Sequence, residues 1–457
     1  MILGRTRQIH LVAIGGIGMS GIAEILVNSG FRVSGSDLSE SPALQRLRSL
    51  GISCHVGHRA EQVGEADVVV HSTAVPPDNP ELQEARRRKI PVVRRGEMLA
   101  ELMRLKHGIA VTGSHGKTTT SSLAAEILHA GQLEPTAVIG GRLHSIGSNA
   151  LLGSGPYMVV EADESDGSFL RLAPTWAVVT NVDREHLDHY GSFEKLQEAF
   201  VDFLDRVPFY GASIVCLEDP VLRSLLPSVS GRIVGYGFGE DAALRGRLLE
   251  KSERGMRFAW ESARNRGEAE IPLLGDHNLL NALAAVAVGL ELSMEPEAIA
   301  LGLSRFRGVG RRYDVKGEAR GVFVIDDYAH HPTEITAILK ALHEHSKRPV
   351  KAVFQPHRYS RTQILFDDFA AAFDLAEEVI ITEIYEASEK PIEGITPEAL
   401  VESVNRRGKT PALHLSDREE LSDYLLESLE EGDLLVTLGA GNLNRFSEEF
   451  LARLQES

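Results

Sequence analysis

Short runs rich in valine and isoleucine alternate with longer helical patterns along most of the chain. This alternation is typical of βαβ units, in which parallel strands form one sheet and helices cover its faces. The chain has 457 residues, which is more than one hydrophobic core serves, because cores stop growing near about 250–300 residues. The sequence therefore predicts an α/β protein with two or three domains.

Three series of predicted strands divide the chain. The first series covers residues 8–14, 32–36, 67–71 and 91–93, the second covers 107–111, 157–162 and 176–180, and the third covers 322–325, 351–354, 378–382 and 433–436. Residues 211–271 are expected to be less regular. The glycine- and arginine-rich stretch 305–312 is expected to be a linker.

The composition excludes several classes of protein. Lys and Arg number 48 against 65 Asp and Glu, so the formal net charge is −17, and this overall field repels nucleic acid. Cys54 and Cys216 form no CxxC pair, which predicts neither a disulfide framework nor a zinc site and fits a reducing cytoplasm. No apolar run reaches about 18 residues and no signal-peptide pattern opens the chain, so membrane insertion is not expected. A monomer and a homodimer are both compatible with the sequence.

The first glycine-rich loop follows a predicted strand directly. Gly16, Gly18 and Gly21 satisfy GxGxxG, and Asp37 closes the next predicted strand. Such a loop lets the backbone approach a diphosphate at a helix N-terminus, while the carboxylate accepts a hydrogen bond from a ribose hydroxyl. Any nucleotide diphosphate could use it. An NAD-dependent oxidoreductase and a tight turn without a ligand are the alternatives.

A second glycine-rich loop lies between an apolar strand and a helix. Residues 113–118 read GSHGKT, a shortened form of the P-loop pattern GxxxxGK[ST]. Backbone N–H groups at the helix start would cradle phosphates, Lys117 would neutralise the β- and γ-phosphate oxygens, and Thr118 would place a hydroxyl on Mg²⁺. The alternative is a glycine turn with an exposed lysine.

Two acidic segments follow predicted strands of the same region. Residues 161–166 read EADESD and residues 181–189 read NVDREHLDH. Both leave the carboxyl ends of strands, where open α/β sheets bind ligands. Carboxylates and an imidazole there suit a hard divalent cation that accompanies a nucleotide. A solvated acidic loop is the alternative.

Together with four later segments, these motifs resemble those of the Mur ligases, the ATP-dependent amide-forming enzymes of peptidoglycan precursor synthesis. The later segments are residues 275–282 (GDHNLLNA), 310–312 (GRR), 326–333 (DDYAHHPT) and 355–362 (QPHRYSRT). The resemblance covers the whole chain. It implies a Rossmann-like domain for a UDP-sugar in residues 1–94, a central P-loop ATPase-like α/β domain in 95–308, and a Rossmann-like domain for the amino acid in 309–457.

Within the family, residues 10–21 and the last two segments resemble the branch that joins L-alanine to the lactyl carboxylate of UDP-N-acetylmuramate. The reaction implied passes through an acyl phosphate and releases ADP and phosphate. The closest alternative is the recycling branch, which attaches a tripeptide to the same sugar nucleotide. A non-catalytic nucleotide-binding protein is disfavoured, because the lysine, threonine and metal-ligand positions are all filled.

The same resemblance assigns residues to each ligand. ATP would be held by Gly113, Ser114, His115, Gly116, Lys117, Thr118, Thr119, His277, Asn278, Asn281, Arg312 and Asp327. The UDP-sugar would meet Gly15, Gly16, Gly18, Met19, Ser20, Asp37 and His71. The amino acid would meet Tyr328, His330, His357, Arg358 and Arg361.

The metal implied is Mg²⁺, with Mn²⁺ as its alternative: Thr118 would bind one ion, and Glu161 with His186 would bind a second. The expected catalytic residues are Lys117, His186 and Arg312.

Two of these assignments have simpler alternatives. Arg311 and Arg312 beside glycines could be a solvated linker pair. The His330-His331-Pro332 sequence could simply open a helix, because proline is favoured at the first helical position and an apolar stripe follows it.

Overall fold

The structure is a computed structural model that describes residues 4–72, 74–143, 148–387 and 389–456. It contains three α/β domains, each built on its own sheet. By compactness the chain divides into two units. The first comprises residues 1–248, 257–271 and 280–307, and the second comprises residues 249–256, 272–279 and 308–457.

The N-terminal domain is a five-stranded parallel sheet in the order β3-β2-β1-β4-β5. Its strands are β1 Gln8–Val12, β2 Arg32–Asp37, β3 Ser53–Val56, β4 Val68–His71 and β5 Val92–Arg94. Its helices are α1 Ile17–Asn28, α2 Pro42–Ser49 and α3 Pro80–Arg87, and α4 Arg95–Met103 follows. The strand order reverses at β1, so the predicted glycine-rich loop leaves the sheet where doubly wound folds bind nucleotides. This confirms the Rossmann-like prediction.

The central domain contains a ten-stranded sheet in the order β15-β14-β13-β12-β11-β10-β6-β9-β7-β8. Its strands are β6 His107–Thr112, β7 Thr136–Leu143, β8 Ser148–Leu151, β9 Tyr157–Glu161, β10 Trp176–Val179, β11 Ala212–Cys216, β12 Ile233–Gly237, β13 Leu244–Ser252, β14 Gly255–Ser262 and β15 Arg266–Ile271. Its helices are α5 Lys117–Ala130, α6 Leu187–Tyr190, α7 Phe193–Leu204, α8 Pro220–Leu225, α9 Asp276–Glu291 and α10 Pro296–Arg305.

The prediction of less regular structure in residues 211–271 was wrong, because five strands lie there. Strands β13, β14 and β15 have charged residues at many positions, and buried positions tend to alternate with accessible ones. A half-buried strand has this alternating pattern rather than a continuous valine and isoleucine run.

The C-terminal domain has a six-stranded sheet in the order β16-β17-β21-β18-β19-β20, with β16 antiparallel to β17 and the other neighbours parallel. Its strands are β16 Asp314–Ala319, β17 Val322–Asp327, β18 Val350–Phe354, β19 Glu378–Ile381, β20 Ala412–His414 and β21 Leu434–Leu438. Its helices are α11 Pro332–His345, α12 Tyr359–Ile364, α13 Phe366–Ala372, α14 Pro397–Arg407, α15 Arg418–Ser428 and α16 Leu443–Glu456.

Successive side chains of β17 pack into different hydrophobic cores of this domain. Ile325 packs in one hydrophobic cluster with Phe354, whereas Val324 packs in another with Phe446. Neighbouring side chains of a strand point to opposite faces of the sheet, so both faces of this sheet are covered. Helix α11 begins at Pro332 with His331 as its N-cap, which confirms that the His-His-Pro sequence opens a helix.

None of the helices in the described ranges combines the length and the apolar character needed to cross a bilayer.

Candidate functional site

The first glycine-rich loop connects β1 to α1 at the carboxyl end of the N-terminal sheet. The backbone N–H of Gly15 donates to Asp37 Oδ2 over 2.8 Å, so the predicted ribose-binding carboxylate is fixed against the loop. A Cβ on Gly15 would lie 2.6 Å from Leu44 Cδ1, so this position has no room for a side chain. Gly16 is the N-cap of α1.

The other predicted UDP-sugar residues differ in what they expose. Met19 is 1 % exposed and Ser20 is also buried, so both lie in the first turns of α1 with their side chains directed into the domain. The backbone N–H of Met19, in the first turn, could therefore take part in anion binding, whereas that of Ser20 already donates to the Gly16 carbonyl oxygen over 2.8 Å. His71 is the last residue of β4, which pairs with β1, the strand before this loop. Its Nδ1 lies 2.9 Å from the Ser72 carbonyl oxygen.

The second glycine-rich loop has the tight backbone that a phosphate cradle requires. Gly113 and Gly116 adopt φ values of 128° and 82°, in the region that favours glycine. A Cβ on Gly116 would lie 2.5 Å from Asn281 Oδ1. Thr120 Oγ1 donates to the same Asn281 oxygen over 3.1 Å. Asn281 is therefore brought to the phosphate loop, as the sequence predicts for an ATP-site residue.

The loop is also fixed from the strand beside it. The backbone N–H of His115 donates to Asn181 Oδ1 over 2.8 Å, and His115 Nε2 lies 3.0 Å from Asp183 Oδ2. Ser114 Oγ accepts the Asp183 backbone N–H over 2.7 Å. The second acidic segment therefore holds the phosphate loop in shape.

The ammonium group of Lys117 has three oxygen partners. It donates to the carbonyl oxygens of Gly113 and Ser114 over 2.6 and 3.0 Å and to Glu164 Oε1 over 2.8 Å. Burial alone would lower the pKa of Lys117, but Glu164 raises it above its ordinary value. The predicted phosphate-binding cation is thus charged and held at the loop.

Glu164 is the buried partner of that lysine, and it links several elements of the site. Its side chain is 1 % exposed, and its Oε1 lies 3.6 Å from His186 Nε2. Burial raises the pKa of Glu164 to about 7, although Lys117 opposes the shift. Tyr190 donates its hydroxyl to the Glu164 carbonyl oxygen over 2.5 Å.

The predicted metal ligands approach one another in two groups. Thr118 Oγ1 donates to Glu161 Oε1 over 3.1 Å. His186 lies with Glu164 and Glu185, whose ligand atoms are all within 4.8 Å of one another. Hydroxyl and carboxylate oxygens are the donors that Mg²⁺ prefers, and the buried Glu164 Oε2 has no hydrogen-bond partner within the described part of the chain. The residues present therefore fit a hydrated divalent cation.

The structure places His277 and Asn278 in the second unit, at the start of α9. Asn278 Nδ2 donates to the Leu274 carbonyl oxygen over 2.9 Å and lies 3.1 Å from His277 Nε2. Burial lowers the pKa of His277 to about 4, so the ring is neutral at pH 7.

Arg311 and Arg312 are anchored to the C-terminal domain. Their guanidinium carbons lie 4.9 and 4.8 Å from the centroid of the Tyr328 ring, in cation–π geometry. Arg311 also donates to the carbonyl oxygens of Gly439, Ala440 and Gly441. This contradicts the alternative of a solvated linker pair, because both side chains pack against Tyr328.

Predicted residues of the amino-acid end also lie together. The His330 and His357 rings are 5.8 Å apart, and Arg361 Nη1 lies 3.3 Å from His357 Nδ1. Burial, together with His330 and the arginines Arg361, Arg358 and Arg311, lowers the pKa of His357 to about 3. Arg358 is the N-cap of α12 with φ 73°, and its buried Nε makes no hydrogen bond among the described residues. The cluster is cationic and suits a carboxylate.

Asp327 supplies a prediction about pH. Burial raises the pKa of Asp327 to about 6, against the lowering effects of Arg312 and of the backbone N–H groups of Tyr313 and Ala329. Between pH 5 and 7 the folded state binds more protons here than the unfolded state, so this group stabilises the ligand-free fold less as pH rises.

We expect Asp327 to make the ligand-free protein about 1 kcal/mol more stable at pH 5 than at pH 7. Urea unfolding of the wild type and Asp327→Asn at both pH values measures this difference, since the other titrating groups cancel between the two proteins. An identical pH dependence in both proteins would contradict the assignment.

Three family descriptions match successive parts of the chain: "Mur ligase family, catalytic domain" over residues 8–107, "Mur ligase middle domain" over 111–289, and "Mur ligase, glutamate ligase domain" over 311–441. A protein of Geotalea daltonii named UDP-N-acetylmuramate–L-alanine ligase is 50% identical over 455 residues, 99% of each chain. One of Anaeromyxobacter dehalogenans with the same name is 52% identical over 459 residues, the whole of each chain.

Solved structures give a similar result. The UDP-N-acetylmuramate-alanine ligase MurC of Thermotoga maritima superimposes with a TM-score of 0.83 at 31% identity, and covers 98% of this chain and 99% of its own. A murein peptide ligase of Psychrobacter arcticus has the same fold, with a TM-score of 0.72 at 23% identity over 99% of each chain. The family matches over most of the sequence, together with the high identity over full length, show that this chain belongs to the Mur ligase family of ATP-dependent ligases.

Proposed function

We propose that this chain joins L-alanine to the lactyl carboxylate of UDP-N-acetylmuramate, with ATP hydrolysed to ADP and phosphate. The observation that most supports this proposal is the phosphate loop, at which the Lys117 ammonium group is held. The chain also has full-length relatives at about 50% identity whose names state this activity. The recycling reaction with a tripeptide is less supported, because the murein peptide ligase is only 23% identical.

The chemical task is mainly electrostatic. The lactyl carboxylate attacks the γ-phosphate of ATP to form an acyl phosphate and displaces ADP. The amine of L-alanine then attacks the acyl carbon, loses a proton and displaces phosphate to form the amide. Both reactants of the first step are anions, so cations must offset their repulsion and stabilise the transferred phosphoryl group.

Lys117 is the cation at the phosphate loop. Its ammonium group lies at hydrogen-bonding distance from Glu164 and two loop carbonyl oxygens, so it is held at the place where phosphate oxygens would bind. We assign Arg312 and Asp327 to the nucleotide as well. The domain boundaries proposed are near residues 94 and 308.

Two Mg²⁺ ions, or Mn²⁺ in their place, would offset phosphate charge, one held by Thr118 and the other by Glu161 with His186. Thr118 and Glu161 are already paired over 3.1 Å, and His186 lies beside Glu164. The proposed compartment is the cytoplasm, which fits the two free cysteines, Cys54 and Cys216.

Removal of one predicted metal ligand should weaken the cation rather than remove a proton-transfer group. We expect Glu161→Ala and His186→Ala to lower kcat/KM by about 10–100-fold at low Mg²⁺ and to recover part of the loss as Mg²⁺ is raised. Phosphate release over a Mg²⁺ titration measures this.

Lys195→Ala is a matched control, because Lys195 is exposed on α7 and lies outside the proposed site. If neither ligand variant responded to Mg²⁺, the assigned role would be wrong.

The proposed reaction itself is tested by incubating the protein with ATP, Mg²⁺, UDP-N-acetylmuramate and L-alanine, and by identifying the amide product by mass spectrometry. Phosphate release without that product would contradict the proposal.

A further inference from the structure

One arginine stands between the sugar-nucleotide loop and the acidic segment of the ATP site. Arg95 is the first residue of α4, and its Nη2 donates to Asp163 Oδ2 over 3.0 Å. The other terminal nitrogen of the same guanidinium, Nη1, would lie 2.8 Å from a Cβ built on Gly18. Arg95 lies outside every motif of the sequence analysis, and it is 68 residues from Asp163 in the chain.

Gly18 makes this approach possible. It lies in the first turn of α1, directly after the N-cap Gly16 and Ile17. A side chain at position 18 would force the guanidinium out of this position, so the glycine at this place in GxGxxG makes room for a cation as well as for a ligand. The guanidinium of Arg95 therefore lies against the helix terminus where the sugar nucleotide is proposed to bind.

The donors of Arg95 are only partly used by the protein. Within the described ranges, the hydrogen bond to Asp163 is the one that the Arg95 side chain makes, and this side chain is 22 % exposed. The Nη1 donors beside Gly18 thus remain available to a ligand. Hydrogen bonds from a guanidinium to a phosphate oxygen are charge-assisted, and the first-turn N–H groups of a helix attract the same anion.

We propose that Arg95 binds the diphosphate of the sugar nucleotide, and that Asp163 is the positioning residue that holds its guanidinium in place. This inference rests on the proposed function, because it assigns a further residue to the same substrate. Asp163 is itself fixed, since its Oδ1 accepts the Ser165 backbone N–H over 3.0 Å. Nη2 is committed to Asp163, and Nη1 is presented to the ligand.

Calorimetry of UDP-N-acetylmuramate, UDP and uridine binding tests the proposal. We expect Arg95→Ala to weaken binding of the two diphosphates by about 10–100-fold, the range for charge-assisted hydrogen bonds, and to leave uridine and ATP affinity within about twofold. Arg95→Lys should recover little, because an ammonium lacks the two separate nitrogens with which the planar guanidinium bonds Asp163 and the phosphate at the same time.

The positioning role of Asp163 has its own signature. Asp163→Asn should raise KM for UDP-N-acetylmuramate by about 3–10-fold with kcat nearly unchanged, since it loosens the guanidinium without removing it. In Arg95→Ala, the same substitution should add almost nothing, because the group that it positions is gone. Additive effects of the two changes would overturn the positioning role.

Arg104→Ala is the matched control, because Arg104 ends the same helix and forms an exposed pair with Glu101 over 3.3 Å. It should leave all affinities unchanged. If the wild type binds UDP-N-acetylmuramate and Arg95→Ala, folded by thermal melting, binds both diphosphates equally well, the inference about Arg95 is wrong while the proposed function stands. If the wild type does not bind the sugar nucleotide, the proposed function itself fails.

Discussion

Lys117→Ala is expected to reduce turnover by at least about 10³-fold while UDP-N-acetylmuramate binding changes little. The lysine is the cation directly at the phosphate loop, and removal of a preorganised charge that stabilises phosphoryl transfer costs about this much. The sugar-nucleotide loop follows β1 in a different sheet, so it does not depend on this side chain.

Two measurements decide this result. Phosphate release gives the loss of turnover, and calorimetry of the sugar nucleotide gives its affinity. Loss of the lysine leaves Glu164 buried without its cation, so the carboxyl is expected to become protonated and the fold to survive. Lys106→Ala is a suitable control, because Lys106 bonds the carbonyl oxygens of Gly153 and Gly155 away from the phosphate loop. Loss of sugar-nucleotide binding in a folded Lys117→Ala protein would contradict the domain assignment.

Arg358→Lys is expected to lower kcat/KM for L-alanine by about 100-fold although the charge is kept. The buried Nε of Arg358 and the neighbouring Arg361 suit a bidentate grip on a carboxylate, which an ammonium does not reproduce. The loss should appear mainly in KM for the amino acid, because the carboxylate is bound in both the ground state and the transition state.

The matched control is Arg407→Lys, because Arg407 pairs with Asp374 over 3.0 Å on the surface of the same domain. That variant should keep normal turnover. If Arg358→Lys retained normal kcat/KM for L-alanine, the carboxylate site would have to lie elsewhere.

The sequence predicts the parts of the site that depend on local geometry. A glycine-rich loop between a strand and a helix presents backbone N–H groups wherever it occurs, so the positions of Gly113, Gly116 and Lys117 follow from the motif. The two loops also lie at the carboxyl ends of their strands, β1 and β6, as the pattern indicates. The acidic segments meet the phosphate loop because their strands, β9 and β10, flank β6 in the sheet.

Other features depend on contacts between distant parts of the chain. The Arg95–Asp163 pair joins residues that no periodicity relates, and the Lys117–Glu164 pair requires the register of β6 against β9. A spacing of three would place Arg358 and Arg361 on one face of a helix, but Arg358 precedes α12 with a left-handed backbone. Its side-chain direction therefore does not follow helical spacing.

The most direct test of the central claim is the choice of amine substrate. The protein is supplied with ATP, Mg²⁺ and UDP-N-acetylmuramate together with L-alanine, glycine, L-serine or the tripeptide, and phosphate release is measured. The His330 ring lies 5.2 Å from the Tyr328 ring and 5.8 Å from the His357 ring. We expect these rings to leave room for little more than a methyl group beside the proposed carboxylate site, while glycine would lose about 1–3 kcal/mol of apolar contact. We predict that L-alanine is preferred, that glycine and L-serine react weakly, and that the tripeptide does not react. Turnover with the tripeptide equal to or faster than that with L-alanine would contradict the account in favour of the recycling reaction.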